Sequence, residues 1–192
     1  MNDTQKAIEI IKQGGIVIFP TDTAFGIGCR MDSEKAVKRL FKIRKRPKAM
    51  ATPVLFDTIE RVKEFVSPVD SDVFQLMKDY WPGALTIVLP CQTSIVPSLV
   101  RGGGESLGVR IPDHETVRQL IKGANIPILG PSANFHGEKT PYKLEGLDKR
   151  LIKLVDFVLE GKTKGRHLTS TVVDVSNYPW QIVRQGNVML NL

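Results

Sequence analysis

Short apolar runs bounded by glycine or proline recur along this chain, and between them lie stretches whose apolar residues repeat at helical spacing. Ile16–Phe19, Leu85–Leu89 and Ile126–Leu129 are strand-length runs, whereas Ala7, Ile8, Ile10 and Ile11, and then Ala36, Val37, Leu40 and Phe41, fall on single helix faces. A strand or an amphipathic helix cannot bury its apolar face alone, so this alternation calls for a sheet covered by helices. Helices are expected from Asp3 to Gln13, where Gly14-Gly15 stops the first, and from a cap at Asp32 or Ser33 to a close at Pro47. Further helical faces run from Ile59 to Val66, Val73 to Tyr80 and His114 to Lys122. Further strands are expected at Thr52–Phe56, Ser106–Ile111, Val155–Leu159, Thr171–Val175 and Ile182–Arg184. With no long linker and no internal repeat, residues 1–192 form a single α/β domain with a largely central sheet, and the closing short strands favour a mixed sheet over a parallel one.

Membrane and disulfide-framework classes are excluded at this level. The apolar runs fall far short of the ~20 residues of a membrane helix, and Met1-Asn2-Asp3-Thr4 lacks the layout of a secretory signal. A cytoplasmic protein is expected. Cys29 and Cys91 stand too far apart for a zinc site or a disulfide framework and read as buried, inert thiols. His114, His136 and His167 have no metal-ligand spacing and read as surface or capping residues, so no metal site is expected. The net charge of +7 makes an anion a natural partner.

Ligands of open α/β sheets gather where loops leave the strand ends. Two loops fit: Pro20-Thr21-Asp22-Thr23-Ala24-Phe25-Gly26 after the first strand, and Gly130-Pro131-Ser132-Ala133-Asn134 after Ile126–Leu129. Each alone is as readily a plain turn, because small polar side chains satisfy local backbone groups. Lys38, Arg39, Lys42, Arg44, Lys45, Arg46 and Lys48 crowd the end of the second helix. A solvated face accounts for Lys38, Arg39 and Lys42, whereas Arg44 and Arg46 lie where Pro47 turns the chain and a guanidinium fork can hold phosphate. Arg110 interrupts an apolar strand, so it needs either a salt bridge or a cleft, and Gly108 on the same face leaves room for a ligand.

Competing motifs fail on their residues. Gly130-x-Ser132 with Asp156 and His167 has the chain order of a hydrolase triad, but Asn134 replaces the second glycine of the elbow, and Gly137 and Pro141 break the helix that should follow. Gly137-Glu138-Lys139-Thr140 is no phosphate loop, and Gly102-Gly103-Gly104 is no dinucleotide fingerprint.

In order along the chain stand Gly14-Gly15 with its strand, P-T-D-T at Pro20–Thr23, R-K-R-P at Arg44–Pro47, Trp81-Pro82-Gly83 and G-V-R-I-P-D-H at Gly108–His114. P-S-A-N at Pro131–Asn134, S-T-V-V-D at Ser170–Asp174 and Val183-Arg184-Gln185-Gly186 follow. This series, from Gly14 to Gly186, resembles the YrdC-like (TsaC) family. The resemblance implies a twisted mixed sheet with flanking helices and a concave basic cleft. It also implies an L-threonylcarbamoyladenylate synthase that joins L-threonine, bicarbonate and ATP, with Mg2+, into threonylcarbamoyl-AMP and pyrophosphate. A transferase complex then passes the threonylcarbamoyl group to a tRNA adenosine beside the anticodon. Carried over by motif, Arg44, Arg46, Ser132 and Asn134 are the catalytic set; Arg46, Ser106, Ser132, Asn134 and Arg184, with Arg44, bind ATP; Thr23, Arg110 and Ser170 bind threonine. Arg44 stands where the family has lysine, Phe25 where tyrosine is common, and His136 where serine is usual. A non-catalytic RNA-binding module, for tRNA or double-stranded RNA, would use the same basic cleft, and monomer and dimer are both open.

Overall fold

A computed structural model of the chain describes residues 1–165 and 167–190. Helices α1 (Asp3–Lys12), α2 (Glu34–Arg44), α3 (Ile59–Lys63), α4 (Ser71–Tyr80), α5 (Glu115–Ala124) and α6 (Lys149–Ile152) surround the strands. The strands are β1 (Val17–Pro20), β2 (Phe25–Gly28), β3 (Val54–Leu55), β4 (Leu85–Pro90), β5 (Ser106–Arg110), β6 (Ile128–Leu129), β7 (Phe157–Val158), β8 (Thr171–Asp174) and β9 (Gln181–Arg184). None of the described helices is long and apolar enough to cross a membrane.

The sheet is mixed, as expected, but its hydrogen bonds divide it in two rather than leaving one central sheet. One part has the order β2-β1-β7 and the other β6-β3-β5-β4-β8-β9. β4 pairs antiparallel with β5 and parallel with β8, while β5 pairs parallel with β3. The two parts meet where β2 runs against the chain beyond β6. There Leu129 donates its N–H to Cys29 O (3.0 Å), Ile27 donates to Pro131 O (2.9 Å) and Ala133 donates to Phe25 O (2.8 Å).

Sequence pattern missed the short α6 and also β2, because Phe25-Gly26-Ile27-Gly28 reads as the tail of a glycine-punctuated loop. Its two glycines are instead a packing requirement. The ring of Phe19 lies over Gly26, and a Cβ on Gly28 would sit 2.0 Å from the carbonyl oxygen of Leu129. The register Val17↔Gly28 to Pro20↔Phe25 then makes Pro20–Phe25 a hairpin that presents Thr21, Asp22 and Thr23 at its tip.

Apolar side chains fill both faces. α1 and α5 pack together over Val17, Phe19, Leu55 and Ile128, and Gly123 lets Ile8 approach the α5 backbone. On the other face Val37, Leu40 and Phe41 of α2, with Leu76 and Met77 of α4, cover Ile18, Ile27, Ile87 and Val109. Cys29 lies in that layer, and burial pushes its thiol up to about 12, as an inert cysteine requires. α2 ends three residues before Pro47, earlier than expected, because Lys45 adopts a left-handed conformation (φ 53°). Its N–H bonds Lys42 O, and the N–H of Arg46 reaches back to Phe41 O (3.0 Å), a Schellman-type closure.

Gly28→Ala is expected to lower stability by about 3 kcal/mol through overpacking against the Leu129 backbone. The measurement is the urea unfolding midpoint at unchanged slope; an unshifted midpoint would show that the two sheet parts are not in tight contact there.

Candidate functional site

The hairpin tip, the end of α2, the Gly130–Asn134 loop and the chain entering β8 surround a cleft open to solvent. Arg44, Arg46, Arg110, Ser132, Thr23, Ser170 and Arg184 all line it. Asn134 lies just beneath the lining and is buried. Ser106 sits in an adjoining hollow that shares Pro53, Thr86, Ser170 and Arg184 with the cleft, and its Oγ lies 3.2 Å from Ser176 Oγ.

Arg44 is the unusual member. It is 3% exposed. Its Nε donates to Asn134 O (3.0 Å) and its Nη2 to Asn134 Oδ1 (3.4 Å), while buried Nη1 has no partner among the described residues. Burial, and then the neighbouring charge of Arg46, push the guanidinium down to about 10, so it stays protonated at neutral pH. Arg46 donates Nε to Met50 O (3.1 Å) and Nη2 to Ala51 O, and burial lowers its pKa as well. Arg184 holds Ser170 O (2.8 Å) and Ser170 Oγ (3.1 Å) through Nη2, and its pKa is lowered by burial first and then by Arg110. These three cations have carbonyl and hydroxyl acceptors but no ion pair among the described residues. Arg44 is buried, Arg46 half-buried and Arg184 exposed; a buried cation without a counter-ion is costly, and the cost is offset when a ligand supplies the negative charge.

Arg110 differs. The salt bridge weighed from sequence and the cleft position are both realised: Nη2 pairs with Asp22 Oδ1 (2.6 Å), Nη1 donates to Thr23 Oγ1 (3.0 Å) and Nε to Gly83 O (2.9 Å). The hairpin tip is itself braced. Thr21 Oγ1 donates to Ala24 O (2.7 Å) and accepts from the N–H groups of Thr23 and Ala24.

The Ser132–Asn134 pair is set by its loop. Ser132 Oγ donates to Asn134 Oδ1 (2.5 Å), and Asn134 Nδ2 donates to Phe135 O (2.9 Å) and Glu138 O (2.7 Å). That orients the amide so that its oxygen faces both Ser132 and Arg44. A hydrolase triad is not assembled. Asp156 is committed to Arg39 and to the N–H of Ile16, and His167 stacks on Tyr142. His114 takes the N-cap position of α5, as a capping residue would, but makes no side-chain cap bond and is buried, with Nε2 3.1 Å from Lys162 O.

The candidate loop Pro20–Gly26 contained Thr21 and Asp22, but sequence reasoning missed Thr86 and the pairing of Asp22 with Arg110. Thr86 Oγ1 lies 2.9 Å from Ser170 Oγ, and its signal was a buried hydroxyl residue inside the apolar strand Leu85–Leu89. Among the described residues no group of three or more His, Cys, Asp or Glu side chains converges to hold a metal ion.

A family model for the Sua5/YciO/YrdC proteins, described as "Telomere recombination", matches residues 9–186. The chain belongs to this family. Every motif quoted from Gly14 to Gly186 falls inside the matched span, as does every cleft arginine. The chain is 31% identical over 96% of its length to a threonylcarbamoyl-AMP synthase of Pyrococcus abyssi, covering 54% of that protein. It is 30% identical over 97% of its length to a threonylcarbamoyl-AMP synthase of Vibrio cholerae, covering 98% of that protein. The crystal structure of P. abyssi Sua5 complexed with L-threonine superposes with a TM-score of 0.89 at 30% identity, over 95% of this chain and 54% of that one. The chain thus spans about half the length of the P. abyssi relative, and the Sua5/YciO/YrdC fold accounts for that half.

Replacing Arg44 by methionine is expected to lower stability by about 1–2 kcal/mol, since the buried Asn134 oxygens lose the guanidinium that ties their loop to the end of α2. Thermal melts of the wild type and the variant check this; a variant that melts at or above the wild-type temperature would contradict it.

Proposed function

We propose that this chain is an L-threonylcarbamoyladenylate synthase that joins L-threonine, bicarbonate and ATP into threonylcarbamoyl-AMP with release of pyrophosphate. The observation that carries this reading is the company of cations in one cleft: Arg44, Arg46 and Arg184 without carboxylate partners beside Arg110, which has one. The triphosphate takes the first group, assisted by Ser106, Ser132 and Asn134. Threonine lies against Thr23, Arg110 and Ser170, its carboxylate on the Arg110 fork. The names of the synthase relatives and the threonine-bound P. abyssi Sua5 support the same reading.

In this reading the threonine amine adds to bicarbonate with loss of water, giving a carbamate. A carbamate oxygen then attacks the α-phosphorus, the bond to the β-phosphate oxygen breaks, and pyrophosphate leaves. No side chain becomes covalently attached. The protein positions the reactants and stabilises charge with donors already in place, Arg44 and Arg46 answering the charge on the leaving pyrophosphate. Among the described residues no acidic cluster converges to hold magnesium; an ion arriving with ATP would be carried mainly by the nucleotide and would screen its phosphate charge. The product is then consumed by a transferase complex acting on tRNA in the cytoplasm.

An RNA-binding role would draw on the exposed Lys38, Lys42, Lys45 and Lys48 beside the cleft. It leaves Arg44 unexplained, since a backbone-tracking surface needs cations that reach solvent. Incubation of the protein with ATP, threonine and bicarbonate should yield an adenylate and pyrophosphate in equal amounts, and no threonine-dependent adenylate would sink the synthase. Arg46→Ala should lower kcat/KM for ATP by about 10²–10³-fold, the scale of losing one charge-stabilising donor, with threonine affinity little changed.

A further inference from the structure

The four arginines of the cleft are not equivalent. Arg110 and Asp22 are both buried, and their contact is a close ion pair of 2.6 Å. Together with the bonds to Thr23 Oγ1 and Gly83 O, the pair engages three of the five N–H donors a guanidinium carries. Each terminal nitrogen therefore keeps one N–H for a ligand. Asp22 has no freedom to withdraw. The ladder closes at Pro20↔Phe25, the Thr21 hydroxyl braces the tip, and Gly165 lies so close over Thr23 that a Cβ would be 2.2 Å from its carbonyl oxygen.

We propose that Asp22 determines specificity at the Arg110 seat: its fixed negative charge keeps phosphate groups off Arg110 while leaving two N–H donors for a single carboxylate. The inference rests on Arg110 being the threonine carboxylate seat. A zwitterionic amino acid carries no net charge and meets an ion pair without net repulsion, whereas a phosphate arrives with up to two negative charges against Asp22 in a partly desolvated site. Arg44, Arg46 and Arg184 lack any such carboxylate and accept phosphate freely. Rejection of the wrong ligand by a like charge is the usual way a binding site separates similar anions. It matters in a cleft that must hold a triphosphate and an amino acid side by side, because either anion would otherwise occupy either seat.

The test is calorimetric titration of the full chain with threonine at increasing inorganic phosphate, for the wild type, Asp22→Asn and Asp22→Glu. In the wild type, phosphate should leave threonine affinity nearly constant. In Asp22→Asn it should compete, raising the apparent Kd about tenfold or more, the scale of removing one partner of a buried charge pair. Asp22→Glu should restore exclusion, which a purely structural role for Asp22 does not predict. Phosphate competition in the wild type overturns the proposal without recourse to any variant, and so does an Asp22→Asn protein as indifferent to phosphate as the wild type. If the wild type binds no threonine, the synthase reading fails separately. The count of phosphates bound per chain then decides on Asp22 alone: one more in Asp22→Asn upholds the exclusion, and an equal count overturns it.

Discussion

The contact between the Arg44 guanidinium and Asn134 ties the end of α2 to the Pro131–Asn134 loop, and most of the cleft depends on it. Asn134 is gripped from both sides: its amide nitrogen by the Phe135 and Glu138 carbonyls, its side-chain oxygen by Ser132 and Arg44. The loop is in turn stitched to β2, and β2 to β1, so the position of one guanidinium is set by the hairpin on the opposite side of the cleft. The left-handed Lys45 completes the arrangement by turning the chain so that Arg46 as well as Arg44 lines the cleft. A non-glycine residue in that conformation costs about 1 kcal/mol, which the Schellman-type bonds help offset.

The cleft holds charge in two forms. Three guanidiniums are answered only by carbonyls and hydroxyls, and a fourth by a carboxylate buried with it. An unneutralised, desolvated cation favours a multiply charged ligand, whereas a neutralised one offers directional hydrogen bonds without strong net attraction. That division suits two substrates of very different charge held within one cavity. Thr86 bonds Ser170 and Ser170 accepts from Arg184, a short chain of contacts along one wall of the cleft.

How much of this could be read from the residues depended on whether a side chain announced its own environment. The strands Leu85–Pro90 and Ser106–Arg110 and the helices α1, α4 and α5 followed from apolar spacing because each buries one face against the sheet. Arg44, Arg46, Arg110, Ser132 and Asn134 were legible as candidates because a charge or a small polar group in an apolar or loop setting needs a partner, whereas Arg184 entered only through the resemblance of its V-R-Q-G motif. β2 was not, because Gly26 and Gly28 serve close packing against Phe19 and Leu129, a long-range cause that local pattern reads as loop. Asp22 was hidden for a related reason: in P-T-D-T a turn already explains an aspartate, and only the pairing of residues 88 positions apart shows that it answers Arg110. The division of the sheet has the same origin, since it follows from backbone bonds between β2 and the chain after β6 rather than from any single strand's composition.

The central claim is that the cleft activates ATP at its α-phosphorus for a threonine-derived carbamate. Exchange of labelled pyrophosphate into ATP tests it most directly, because it reports reversal of that one step without waiting for product release. The account predicts exchange that requires both threonine and bicarbonate and that disappears when either is omitted. Exchange that proceeds without threonine, or labelled orthophosphate in place of pyrophosphate as the leaving group, would contradict it.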